Sequence, residues 1–261
     1  MPRLAIGIEY DGTRFCGWQR QDHGPSVQAA VEDAFSRVAD EPLSVGSAGR
    51  TDAGVHATGQ VAHFDTDARR EIRSWLLGAN SNLPPDASVT WVQEMPARFN
   101  ARYTAFARTY HYLILNRAVR SALHRDRAWW VRADLDLAAM QAAASLLLGE
   151  HDFSAFRAAQ CQARSPVRDL QRLELYRSGP FIVVECRANA FLHHMVRNIA
   201  GSLVHIGRGE APPDWLRSVL QSRDRRAAGM TAAASGLCLT RVHYPAEFGI
   251  PDPQSFRPGD L

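Results

Sequence analysis

The residues with the most chemistry in reach of one another sit in "SAGRTDAGVHATGQVAHF", residues 47–64. Asp52 stands there among small residues, with Arg50 two positions before it and His56 four after. Gly49 and Gly54 bracket the aspartate, and glycine permits a positive φ or the close approach of another chain. From the residues alone, Asp52 is a turn former bonding local backbone, one half of an ion pair, or a nucleophile. If the segment is extended, Arg50 shares a face with it. An arginine that close holds a carboxylate charged and orients it, which suits a nucleophile or general base and not a general acid.

Rival chemistries fail on spacing. Aspartic proteases need two D-[TS]-G turns whose carboxylates share a proton; Thr51-Asp52-Ala53-Gly54 is not that motif and has no second copy. A zinc nucleobase deaminase needs H-x-E with P-C-x-x-C, and neither occurs. Asp11-Gly12-Thr13 lacks a second acid beside it for Mg²⁺ and reads as a loop turn. His193-His194 invites a metal, yet neighbours on a helix point about 100° apart and do not face each other. Arg197, four residues on, sits among Met195, Val196 and Ile199, and a partly buried arginine there requires an anion. Tyr110 follows Arg108 in a strand-like run, where ordinary sheet packing is the plain reading.

All 30 basic residues are arginine, which excludes a Schiff-base lysine and a Walker-type phosphate loop. Net charge is only +3, but eight arginines fall between Ala97 and Arg132 with Asp126 as the sole acid, interleaved with Phe99, Tyr103, Phe106, Tyr110, Tyr112, Trp129 and Trp130. That mixture fits a polyanion whose bases stack, and equally a solvated basic face. The cysteines, Cys16, Cys161, Cys186 and Cys238, form no C-x-x-C pair and read as small core hydrophobes. The Met-Pro-Arg start soon meets Glu9 and Asp11, unlike a signal peptide. No apolar run approaches the ~18–20 residues of a membrane helix, so a soluble, cytoplasmic protein is expected.

Several elements must position these residues. Leu4, Ile6, Ile8 and Tyr10 alternate as a strand over residues 3–10. Ser26 reads as an N-cap for an amphipathic helix over 27–39. Strands are predicted over 59–66, 87–95, 107–116 and 236–244, helices over 69–79, 134–149, 191–206 and 213–222, and a hairpin turning at Ser178-Gly179-Pro180. Strands and helices recur in two comparable sets, and the hairpin argues for a largely antiparallel sheet, hence α+β. The division is 1–103, 104–245 and a loosely ordered proline-rich tail over 246–261.

The run around Asp52 resembles the catalytic motif of the tRNA pseudouridine synthase A family. "GIEYDGTRFCGWQRQ" (7–21), "NSNLP" (80–84), "FNARYTAFARTYHY" (99–112), "LLGEHDFSAFRAAQCQARSPVR" (147–168), "ANAFLHHMVRNIAGSLVHIG" (188–207) and "GLCLTRVHYP" (236–245) are similar to that family in the same order. The resemblance implies an isomerase that turns uridine into pseudouridine at positions 38, 39 and 40 of the tRNA anticodon stem-loop, without cofactor or metal. It also implies a homodimer with no membrane partner. The fold it implies is two RRM-like (ferredoxin-like) halves in one extended, mostly antiparallel sheet, with helices on one face and a central cleft. On the same resemblance, Asp52 is the catalytic nucleophile and Arg50 the motif's own arginine. Arg197 is the arginine that pairs with the aspartate, Tyr110 packs against the target nucleotide, and Leu237 is an apolar wall for the base. The stretch "QCQARSPVR" and the arginines from Arg98 to Arg132 would contact RNA. Attack at C6 of the uracil, attack at C1′ of the ribose and a glycal route all stay open. A non-catalytic RNA-binding protein explains the arginines and aromatics but leaves Asp52 without a role, and a hydrolase using Asp52 would release free uracil.

Overall fold

A computed structural model describes residues 1–253 of the chain. In chain order it contains β1 (Arg3–Tyr10), α1 (Val27–Ala39), β2 (Gly46–Ser47), β3 (His56–Asp65), α2 (Ile72–Asn82), β4 (Ala87–Met95), β5 (Ala107–Asn116), β6 (Trp129–Val131), α3 (Leu137–Ser145), β7 (Gly149–Asp152), β8 (Val167–Ser178), β9 (Phe181–Ala188), α4 (Met195–Gly207), α5 (Trp215–Ser222) and β10 (Leu237–His243). The described residues divide into two compact units, Met1–Phe106 with residues 238–253, and Ala107–Leu237. Both mix helices with mostly antiparallel strands, so the expected α+β class holds. No helix among the described residues is long and apolar enough to cross a membrane.

In the first unit β1 is central, antiparallel to β3 and β4. β10 joins β3 in parallel, Cys238 opposite His56, and this pairing takes the strand from Cys238 on out of the second half, to which the sequence division gave it. Leu4, Ile6 and Ile8 share a face that Phe64 of β3 continues opposite Leu4. Phe64 packs against Phe35 of α1 and Trp75 of α2, with centroids 4.9 and 5.7 Å apart. Ser26 caps α1 by accepting the Ala29 N–H at 3.2 Å, as its position predicts. His63, adjacent to Phe64, points to the other face. There it meets Phe99, which packs on Tyr244 and Phe248.

That aromatic cluster corrects the reading of the tail. Ala246–Phe248 forms a short 3-10 turn, Phe248 is buried, and its carbonyl accepts Gln93 Nε2 at 3.2 Å. Arg241 pairs with Asp252. One buried aromatic anchors a segment whose proline content suggested loose order; residues 254–261 lie outside the described residues.

In the second unit β9 lies between β5 and β8, β7 pairs with β8, and all three pairings are antiparallel; β6 runs parallel to β5. β8 and β9 turn at Gly179-Pro180 as expected, with Gly179 at φ 56°. Leu113, Leu115, Phe181 and Val183 pack with Ala128, so the irregular segment between β5 and β6 covers one face. On the other side α4 packs on β5 and α3 on β8. α3 is shorter than the helix predicted over 134–149: Gly149, at φ 98°, turns the chain into β7.

Candidate active site

β3 begins at His56, and the residues before it form the turn that carries Asp52. The Val55 N–H donates to the Asp52 carbonyl at 3.1 Å, and Gly54 takes a φ of 76°, a conformation that favours glycine. Gly49 has no positive φ; its carbonyl instead accepts Gln60 Nε2 at 2.8 Å. Of the two bracketing glycines, only Gly54 serves the backbone in the expected way. Exposure alternates along the segment, with Arg50 exposed, Thr51 buried and Asp52 half-buried.

The segment after β1 clamps this turn. Trp18 N–H donates to the Thr51 carbonyl at 3.0 Å, and the Tyr10 and Thr51 hydroxyls meet at 2.8 Å. Gly17, at φ 99°, lies so close that a Cβ there would sit 2.7 Å from the Thr51 carbonyl oxygen and 3.1 Å from Ala53 N. Asp11 accepts the Thr13 N–H at 3.0 Å, so Asp11-Gly12-Thr13 is the loop turn expected of it. His56, only 2% exposed, accepts the Gly12 N–H on Nδ1 at 3.0 Å and so seats that same turn. Behind it, Arg20 reaches the buried Glu32 of α1 at 2.9 Å, and Glu32 also accepts the Val45 N–H at 3.1 Å. A loop carboxyl is thus carried on backbone fixed from two sides. Gly17→Ala puts a side chain at a positive φ and against Thr51, a strain of about 1–3 kcal/mol. We expect a lower melting temperature and reduced turnover together; an unchanged melting curve would show that the contact is slack.

The other candidate residues lie in the second unit. Tyr110 of β5 is 8% exposed and meets Phe191 edge-on at 5.1 Å. Leu237, buried, opens β10. Arg197 is the third residue of α4 and half-buried; its Nε donates to the Ala232 carbonyl at 2.8 Å, and the Ala232 N–H returns a bond to the Arg197 carbonyl at 3.1 Å.

His193 and His194 do not behave as helical neighbours. α4 starts only at Met195, because His194 takes a left-handed φ of 62°, and the two rings lie 4.0 Å apart. A non-glycine residue held there is strained, and such residues cluster at functional sites. The preceding loop is fastened to His193: its carbonyl accepts the Ala158 N–H at 3.0 Å, and its N–H donates to Cys161 Sγ at 3.4 Å. Burial would raise the Cys161 thiol, but the His193 and Ala163 N–H groups and the Arg157 guanidinium outweigh it and lower the pKa. Cys161 is therefore not the core hydrophobe that Cys186 and Cys238 are. Those two are fully buried, and burial pushes the Cys238 thiol up to about 12.

Sequence reasoning missed Tyr112 and Asn198. Tyr112 donates to the Ala233 carbonyl at 2.7 Å. Its burial pushes the phenol well above the usual range against the opposing charge of Arg197. Asn198, fully buried in α4, donates to the Phe156 carbonyl at 2.8 Å. The legible signal was a polar side chain inside an otherwise apolar helical pattern, since buried polar groups need partners.

The family described as tRNA pseudouridine synthase matches residues 6–104 and 143–245. The chain is 54% identical over 251 residues to a tRNA pseudouridine synthase A of Pseudomonas aeruginosa, covering 96% of this chain and 88% of that one. It is 52% identical over 252 residues to its namesake of Burkholderia cenocepacia (97% and 93% covered) and 54% identical over 249 residues to that of Aeromonas hydrophila (95% and 93% covered). A chain in the crystal structure of a Cbf5-Nop10-Gar1 complex overlays at a TM-score of 0.38 and 12% identity, over 90% of this chain and 48% of that one, a likeness too low to argue from. The match spans both units, takes in the Asp52 turn and α4, and leaves no doubt of kinship: this chain belongs to the tRNA pseudouridine synthase family of isomerases.

Proposed function

We propose that this chain isomerises uridine to pseudouridine at positions 38, 39 and 40 of the tRNA anticodon stem-loop, as a homodimer, with Asp52 as the nucleophile. The observation that carries the reading is the clamped turn, which holds one half-buried carboxyl on fixed backbone in a family of tRNA isomerases. The reaction breaks the N1–C1′ and C5–H bonds and makes C5–C1′ and N1–H bonds, so the proton lost from C5 is balanced by one taken up at N1 and nothing else enters or leaves. A carboxylate nucleophile loosens the base, and the base must then be held while it turns. An aromatic ring and an apolar wall, Tyr110 and Leu237, hold a pyrimidine without fixing its rotation. Arg50 and Arg197 orient the carboxylate. The target uridine must leave its stack at a cost of a few kcal/mol, which arginines on phosphate offset. Exposed Tyr103, with the Arg102 guanidinium 5.5 Å from its ring centroid, is the kind of surface on which nucleic acid settles.

The test is tritium release from tRNA carrying C5-labelled uridine, read beside free uracil. Tritium release without uracil supports the isomerase; uracil release points to a hydrolase, and tRNA binding with neither to a non-catalytic binder. Tyr110→Ala separates stacking from packing. Loss of one base–aromatic contact, ~1–3 kcal/mol, predicts a kcat/KM reduced roughly 10- to 100-fold. A change in melting temperature alone would assign Tyr110 to the sheet core.

A further inference from the structure

Arg225 opens a short 3-10 turn, Arg225–Ala227, after α5. Its Nη1 donates to the Gly229 carbonyl at 3.0 Å, and its Nη2 to Asn198 Oδ1 at 3.0 Å and to Thr231 Oγ1 at 2.9 Å. Thr231 Oγ1 itself donates to Asn198 Oδ1 at 2.7 Å. One turn along α4, Ser202 Oγ accepts the Gly229 N–H at 3.0 Å and donates to the Asn198 carbonyl at 2.9 Å. The segment 228–232 therefore lies directly on the helix backbone. A Cβ at Gly201 would come within 1.8 Å of the Met230 carbonyl oxygen, and one at Gly229 within 2.8 Å of Ser202 Cα. The segment ends at Ala232, the residue whose carbonyl holds Arg197 Nε.

Every partner of the Arg225 guanidinium is neutral, and burial lowers its pKa. A charge kept for its own sake would sit beside a carboxylate or face water. A planar fork with fixed donor directions is suited instead to joining several acceptors in one geometry, and here they come from both the helix and the segment packed on it.

We propose that Arg225 is a positioning residue for Arg197: it locks the segment 228–232 onto α4, and that segment aims the Arg197 guanidinium. The inference rests on the role proposed above for Arg197. Arg225 touches no reacting atom in this scheme, so its loss costs turnover through misplacement, and a displacement of about 1 Å at a reacting centre is worth up to 100-fold.

The experiment uses the full chain with tRNA transcript, comparing wild type with Arg225→Gln, Arg225→Lys and, in parallel, Arg197→Lys. Steady-state kinetics are read beside amide hydrogen exchange at Gly229 and Ala232. Arg225→Gln is expected to lose protection at both amides and to lower kcat on the order of 10- to 100-fold, with KM little changed. Arg225→Lys, which keeps the charge but not the fork, is expected to restore neither. If Arg225→Gln fails to fold, Thr231→Val removes one strand of the network and should show a smaller kcat loss in the same direction at unchanged KM. Wild-type kcat in a variant that has lost protection at Ala232 overturns the proposal. So does intact protection, or an activity loss that only follows a general loss of exchange protection across the unit. Wild-type kinetics in Arg197→Lys would instead remove the role of Arg197, a different failure from a fully active Arg225→Gln.

Discussion

Asp52→Asn is expected to fold, to melt at the wild-type temperature, to bind tRNA, and to form no detectable pseudouridine. The substitution is nearly isosteric. The bonds that shape the turn run through backbone: Val55 N–H to the Asp52 carbonyl and Trp18 N–H to the Thr51 carbonyl. The amide therefore inherits the place of the carboxylate but loses its negative charge, and with it the nucleophilicity and the pairing proposed with Arg50 and Arg197. Removing a nucleophile that acts in concert with its neighbours costs roughly four orders of magnitude or more in turnover. Tritium release under single-turnover conditions, set beside a tRNA binding isotherm, reads the two properties separately. Turnover within a few per cent of wild type would remove Asp52 from the chemistry, and loss of binding alone would make it a contact residue.

Arg197→Lys is expected to lower kcat by about 10²- to 10³-fold, the range for removing one well-placed electrostatic donor, while tRNA affinity stays close to wild type. The reason is geometric. Arg197 spends Nε on the Ala232 carbonyl at 2.8 Å, and that bond sets the plane of the guanidinium. A lysine ammonium at the end of a flexible stem can reach that carbonyl or a carboxylate, but cannot hold one while presenting a two-pronged fork to the other. Equal kinetics in the two proteins would reduce Arg197 to a bulk positive charge.

What was legible in the sequence was local. β1, α1, β4 and β5 lie where alternation and helical spacing put them, because each has one clear apolar face and its own stop signals. α3 ends early because Gly149 and β7 depend on pairing with β8, a partner distant in sequence. The helix expected from residue 191 starts at Met195 because His194 adopts a backbone conformation that periodicity cannot register. Phe248 in the tail and the network around Arg225 share that origin, since their partners lie tens of residues away. The identity of Asp52 as a candidate came from its motif and family resemblance. The clamp on its turn, through Gly17, Trp18 and His56, came only with the fold.

The parallel pairing of β10 with β3 makes the first unit discontinuous: it begins before the second unit in sequence and is finished only when residues beyond 237 arrive. During synthesis the second unit, contiguous from Ala107 to Leu237, leaves the ribosome whole while β3 still waits for its neighbour. Until then a nascent chain displays an unsatisfied strand margin, the kind of template on which neighbouring polypeptides aggregate. Formation of the unit that carries Asp52 is thereby tied to synthesis of the residues after 237, so that a chain truncated before them carries the motif without the strand that completes its sheet.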